Sequence, residues 1–197
     1  MPPRHILSPQ SRTALFDPPT DPAAIVRHYT FSPEDMALIR DRRRAANRLG
    51  FAVHLAYLRF PSRVIEVDET PPPDVLTFIA TQLGDDPKAF KDYAQRQQTR
   101  RAHLGELQAY LDVRPLRRED KRAVVHVAIE QATGSDRGDA IVFAMIEYLR
   151  EQRILLPAAL TLEKMALAAR ALARKRAYKK AWTQHSCHRT QSSGHAI

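Results

Sequence analysis

Residues Asn47–Phe60 read NRLGFAVHLAYLRF. On a 3.6-residue period this stretch is apolar on every side, with His54 the exception inside it. A helix without a polar face has nothing to show to water, so its place is among other helices. Pro61 follows, and its ring and missing N–H end the helix. Gly50, lacking a Cβ, lets another backbone approach the buried helix closely. The rest of the chain must then supply the helices that surround this one.

Their starts are well marked. SPQSRTALF opens with Ser8 as an N-cap and Pro9 at the first helical position. FSPEDMALI repeats the device: Ser32 caps, Pro33 opens, and Glu34 and Asp35 suit the positive end of the helix dipole. A short helix at Asp21–His28 lies between them, opened by DPAA. SRVIEVDETPPP reads as a linker, and DVLTFIATQLG after it as a helix stopped by Gly84. Further helices are expected at Pro87–Gln95, Arg96–Leu111, Arg118–Ala132, Asp136–Arg153 and Thr161–Lys180, with breaks at TGSDRGD and Pro157. β-branched alternation is scarce, so the fold class is all-α, in one or more multi-helix domains. The ending TQHSCHRTQSSGHAI has no periodicity and reads as a disordered tail.

The 197 residues suffice for one domain or two small ones, and a hydrophobic fraction of 44% supports a packed core. The net charge is +9 and the sequence pI about 10.0. That balance points to a polyanionic partner, nucleic acid before an anionic membrane. A single cysteine, Cys187, excludes an intrachain disulfide and a Cys-based zinc cluster. MPPRHILSPQ lacks the apolar run of a secretion signal, and no stretch is long enough to span a bilayer. The expected location is cytoplasmic, and nucleoid-associated if the partner is DNA. No catalytic constellation, P-loop or metal-ligand spacing stands out. His185, Cys187 and His188 lie in the tail, without a scaffold to make a metal site.

The charge is clustered rather than spread. Five arginines fall between Arg40 and Arg48, and seven basic residues between Lys164 and Lys180, while residues 61–112 are mildly acidic. If Pro33–Ala46 is one helix that runs on to Arg48, then Leu38, Ile39, Ala45 and Ala46 share a face with Arg42. Arg40, Arg43, Arg44 and Arg48 form a stripe on the opposite face, and Met36 fits neither. Like charges at i,i+4 disfavour such a stripe by a few tenths of a kcal/mol per pair, on the order of measured helix pairs. Two readings stand: a phosphate-binding surface, or a solvated face. A second candidate is the helix–turn–helix grammar of residues 74–107, whose last helix opens with Gln97, Gln98 and Thr99 and carries Arg96, Arg100, Arg101 and His103. Ordinary helical packing has the same grammar. The third is ALAARALARKRAYKKAW, a basic helix suited to DNA phosphates, a membrane surface or a partner helix.

LSPQSRTALFDPPTD, RHYTFSPEDMALIRDRRRAANRLGFAVHLAYLRFP and TRRAHLGEL, in that order and spacing, resemble the N-terminal region of transposases of the Tn-three family. The resemblance covers about Arg4 to Trp182. It implies sequence-specific binding of double-stranded DNA at transposon terminal inverted repeats. It also implies that the acidic, metal-binding catalytic triad lies in another domain, so this stretch is a truncated, non-enzymatic part with no cofactor and no small-molecule substrate. The alternative is a helical protein-interaction module, or a fragment that competes with intact transposase for transposon ends. A second copy or the transposase remainder is the expected protein partner, and a membrane is not one. The domain expectation is residues 1–62 as a first DNA-binding subdomain, 63–73 as linker, 74–182 as a second helical subdomain and 183–197 as tail. The DNA-binding candidates are Arg40, Arg42, Arg43, Arg44, Arg48, Gln97, Gln98, Arg100, Arg101, Arg174, Lys175, Arg176 and Lys179. Among them Arg40, Arg43, Arg44, Lys175 and Arg176 are expected to hold phosphates, and Gln97, Gln98, Arg100 and Arg101 to read bases.

Overall fold

The structure is a computed structural model that describes residues 6–93, 97–135 and 137–191, with side chains described through Lys179 and at Trp182. Its helices are α1 (Pro9–Phe16), α2 (Pro22–Tyr29), α3 (Pro33–Arg40), α4 (Ala45–Arg59), α5 (Pro73–Leu83), α6 (Gln97–Leu111), α7 (Asp120–Gly134), α8 (Gly138–Glu151) and α9 (Ala159–Gln191). A 3-10 helix at Pro87–Asp92 precedes α6. Two short strands, β1 (Arg114–Pro115) and β2 (Ile154–Leu155), pair in parallel. The all-α expectation holds, and that single bridge is its one addition among the described residues.

The caps are those the sequence advertises. The Ser8 hydroxyl accepts from the Ser11 N–H at 3.0 Å. Asp21 caps α2 through the Ala24 N–H at 2.8 Å. Ser32 and Asp35 close a reciprocal capping box on α3. Gly84 ends α5 at φ 71°, a left-handed conformation that only glycine adopts cheaply. The expected helix at Pro87–Gln95 is a 3-10 turn ending at Asp92, and Arg96, expected to open α6, lies outside the described residues.

The chain divides into two compact units. One comprises Arg12–Leu116 and Arg150–Pro157; the other comprises Met1–Ser11, Arg117–Leu149 and Ala158–Ile197. The first is built around α4. Leu49 through Leu58 are buried without interruption, and α2, α3, α5, the 3-10 helix and α6 pack around them. Complete burial of a side chain such as Leu55 or Phe51 stabilises by about 1.5–3 kcal/mol. Gly50 is approached by a side chain rather than by a backbone: a Cβ there would sit 2.0 Å from the ring of Tyr93. The segment Arg150–Pro157 closes this unit, with the Leu156 N–H on the Ser62 carbonyl at 2.8 Å and Arg150 on the Pro61 carbonyl at 3.2 Å.

Residues 63–73 do not behave as a linker between bodies. Ile65 is buried, and Arg63 pairs with Glu69 through both guanidinium nitrogens while its Nε donates to the Phe16 carbonyl at 2.8 Å. The prolines give an irregular backbone, but an irregular segment packed by its own side chains belongs to the unit it crosses. The 63–73 boundary therefore falls inside one unit.

In the other unit α7 packs along α9. The buried side of α9 carries Leu162, Ala166, Ala169 and Ala173 at 4-3-4 spacing, with Glu163 buried beside Leu162, and the three alanines allow close helix approach. Past Ala173 every described side chain of α9 is exposed. The helix runs to Gln191, so the expected boundary at Trp182 falls within it; the side chains of 183–197 lie outside those described. No described helix is long and apolar enough to cross a membrane.

Candidate nucleic-acid interface

The arginine cluster is not one helical stripe. α3 stops at Arg40, Asp41 is its C-cap, and α4 begins only after Arg44, whose backbone is extended at φ −105° and ψ 139°. Arg42, Arg43 and Arg44 thus form a turn. The end of α3 also places Met36: with the helix this short, its inner side is Asp35, Met36 and Ile39, and Met36 packs against the core.

Two of the five arginines are consumed in holding that turn. Arg42 reaches inward to Glu106 on α6, with Nη1 donating to Oε2 and Nη2 to Oε1, each at 2.9 Å. Its guanidinium lies 4.8 Å above the ring of buried Phe51, and Nη2 also donates to Asp41 at 3.0 Å. Arg48 pairs with Asp85, Nε to Oδ2 at 3.0 Å and Nη2 to Oδ1 at 2.6 Å. Its remaining nitrogen donates to the carbonyls of Arg42 and Arg43 at 3.3 and 3.4 Å. Arg42 and Arg48, expected among the DNA-binding residues, are both partly buried and paired with carboxylates 64 and 37 residues away. Forked guanidinium–carboxylate pairs of this kind fix orientation as well as charge.

Arg40, Arg43 and Arg44 remain exposed, with no side-chain hydrogen bond or ion pair among the described residues. They stand where the two pairs pin the backbone. Aromatic rings pack nearby. His103 on α6 meets the Tyr93 hydroxyl at 3.1 Å and the Phe51 ring edge-on at 5.1 Å. His54 beneath is fully buried, and neither of its ring nitrogens has a partner. Burial, then the charges of Arg100 and His103, pushes its pKa down to about 3. On α3, Asp35 is fully buried and receives Arg59 at 2.6 and 2.7 Å and the Tyr110 hydroxyl at 2.8 Å. Burial pushes that carboxyl up, but the Arg59, Ser32 and Tyr110 hydrogen bonds outweigh it and hold it below the usual range.

α5, the turn at Gly84, the 3-10 helix and α6 stand in the order the helix–turn–helix grammar predicts. Gln97, Gln98 and Arg101 are exposed and share one side of α6 by their spacing. Arg100 neighbours Gln97 but is turned toward the 65–73 segment. Its guanidinium donates to the Ile65 carbonyl and, with Gln97, lines a cleft of about 790 Å³ beside the 65–73 segment. The sequence missed Glu106 and Asp85, because an acid one to two helices distant gives no local sign that it will hold an arginine.

In the other unit, Arg174, Lys175, Arg176 and Lys179 are all exposed along α9. Tyr178 is 77% exposed and Trp182 78%, one turn apart on the same side. Among the described residues, no group of three or more His, Cys, Asp or Glu is placed to hold a metal ion. His185, Cys187 and His188 lie outside the residues whose side chains are described.

A family model described as "Domain of unknown function (DUF4158)" matches residues 6–169. The chain belongs to the DUF4158 family. Among curated proteins, this DUF4158 chain is 43% identical over 178 residues to the transposase for transposon Tn3926 of Escherichia coli and 42% identical to the transposase for transposon Tn21 of the same species. It is 38% identical over 179 residues to the transposase for transposon Tn501 of Pseudomonas aeruginosa. These matches cover 90–91% of the chain but 18% of each relative's length. The resemblance drawn from LSPQSRTALFDPPTD and NRLGFAVHLAYLRFP is thereby shown.

Proposed function

We propose that this chain binds double-stranded DNA sequence-specifically at transposon terminal inverted repeats, as a non-catalytic part of a transposase. The observation that carries the reading is the turn at Arg42–Arg44. Arg43 and Arg44 in this turn, and Arg40 at the end of α3, have no side-chain partner among the described residues, and Arg42 and Arg48 hold the backbone of the turn in place. A cationic group fixed before the encounter loses little freedom on meeting a phosphate. The names of the relatives support DNA as the polyanion. In this reading Arg40, Arg43 and Arg44 hold phosphates, and Gln97, Gln98 and Arg101 on the exposed side of α6 read base edges. Lys175 and Arg176 on α9 add phosphate contacts. In this reading the protein works in the cytoplasm, on the nucleoid.

The test is fluorescence anisotropy with labelled duplexes bearing the terminal inverted repeats of the relatives' transposons, beside scrambled duplexes. Affinity should be higher for the repeats and fall steeply with salt. Arg43→Ala with Arg44→Ala should weaken both duplexes alike and reduce the salt slope by about two units, since each phosphate contact contributes about 0.9. Gln97→Ala or Arg101→Ala should cost about 1–3 kcal/mol on the repeat alone. Equal affinity for repeat and scrambled DNA sinks the specificity claim, and an unchanged salt slope in the double variant sinks the arginine assignment. The rival reading, a protein-interaction module, draws on exposed Tyr178 and Trp182. A stable oligomer in sedimentation without DNA, lost on Tyr178→Ser with Trp182→Ser, would favour it.

A further inference from the structure

Glu106 and Asp85 carry negative charge within the most basic corner of this unit. For a surface that works by net charge alone, both are a hindrance. The geometry points to the opposite role: we infer that Glu106 and Asp85 are positioning residues for DNA, holding Arg43 and Arg44 in their binding pose through Arg42 and Arg48. The inference rests on the DNA reading above.

Three observations support it. Glu106 takes both terminal nitrogens of Arg42, so the guanidinium plane, and with it the start of the turn, is fixed against α6. Asp85 takes two nitrogens of Arg48 and leaves the third to clasp the carbonyls of Arg42 and Arg43, the peptides that carry the free arginines. The turn itself has no glycine or proline between Asp41 and Arg44 to set its shape, so these tertiary ties define it. Without Glu106, the Arg42 guanidinium over Phe51 would be left partly buried and short of its main partner, and it would turn outward to find water.

The sign of the effect distinguishes positioning from simple electrostatics. Removing an acid near bound phosphates strengthens binding if only the field matters. Positioning predicts weakening. With the full chain and a labelled inverted-repeat duplex, Glu106→Gln and Asp85→Asn should each lower affinity by roughly threefold to tenfold, the loss expected when an ordered contact must be ordered on binding. Asp92→Asn removes the same charge from an exposed residue with no side-chain partner among the described residues, and should leave affinity equal or slightly higher. In the Arg43→Ala, Arg44→Ala background, Glu106→Gln should have no further effect, because the groups it positions are gone. The exchange Arg42→Glu with Glu106→Arg restores the pair at constant net charge and should return affinity toward the parent.

Wild-type or tighter binding by Glu106→Gln and Asp85→Asn overturns the inference. If either variant fails to fold, Glu106→Asp decides, since it keeps the charge and shortens the reach; unchanged affinity there is equally fatal. If Arg43→Ala with Arg44→Ala binds like the parent, the DNA reading of the turn fails first, and the two failures are told apart.

Discussion

The arginine turn and the basic end of α9 carry similar charge but are held in different ways. At the turn, Arg42 and Arg48 are spent on carboxylates so that their neighbours stand fixed over a core of Phe51, His54 and His103. On α9, Ala173 is the last described buried side chain, and Arg174 to Lys179 line a helix exposed on all sides. Charge density alone treats these regions as equivalents. On the proposed DNA reading these supports predict a division of labour: one surface sets geometry, and the other adds attraction that tolerates many geometries.

The comparison can be broken at its foundation. Phe51→Ala removes the ring beneath Arg42 and should destabilise this unit by about 3–5 kcal/mol, read as a lower urea midpoint. An unchanged midpoint would mean that the turn does not stand on the core. Acid sharpens the contrast next. His54 is neutral when folded, with a pKa pushed down to about 3, against an ordinary value of 6.5. The unfolded chain therefore takes up the proton first. Stability is full above pH 6.5 and declines as pH falls toward 3, by about 1.4 kcal/mol per unit for one proton. Between pH 6.5 and 5 the loss should be about 1.6 kcal/mol, and His54→Leu should flatten that part of the profile. The smallest effect on stability is expected on α9. Lys175→Ala with Arg176→Ala should leave the unfolding midpoint within about 0.5 kcal/mol of the parent. It should lower DNA affinity for repeat and scrambled duplexes alike; selective loss on the repeat would make α9 a reader and erase the contrast.

Much of this was legible in the chain. NRLGFAVHLAYLRF announced a central helix because its stretch from Leu49 to Leu58 has no polar face to show to water, and Ser32, Pro33 and Gly84 marked boundaries by chemistry that acts within a few residues. The break at Asp41–Arg44 was not legible. No glycine or proline punctuates it, and the partners that shape it, Asp85 and Glu106, lie far along the chain. For the same reason nothing near Arg100 announced that its guanidinium would meet the Ile65 carbonyl. The candidate site was thus visible as a concentration of cations, whereas which of them are free depended on tertiary ion pairs that local spacing does not encode.

The small bridge between Arg114–Pro115 and Ile154–Leu155 has a consequence for synthesis. The unit that bears the arginine turn receives its last piece, Arg150–Pro157, only after α7 and most of α8 have been translated. A ribosome that has released residues 12–116 has not yet supplied the strand that completes them. Excising that stretch as a minimal DNA binder would leave Ser62 and Arg114 without their backbone partners, so the shortest sensible excision ends beyond Pro157.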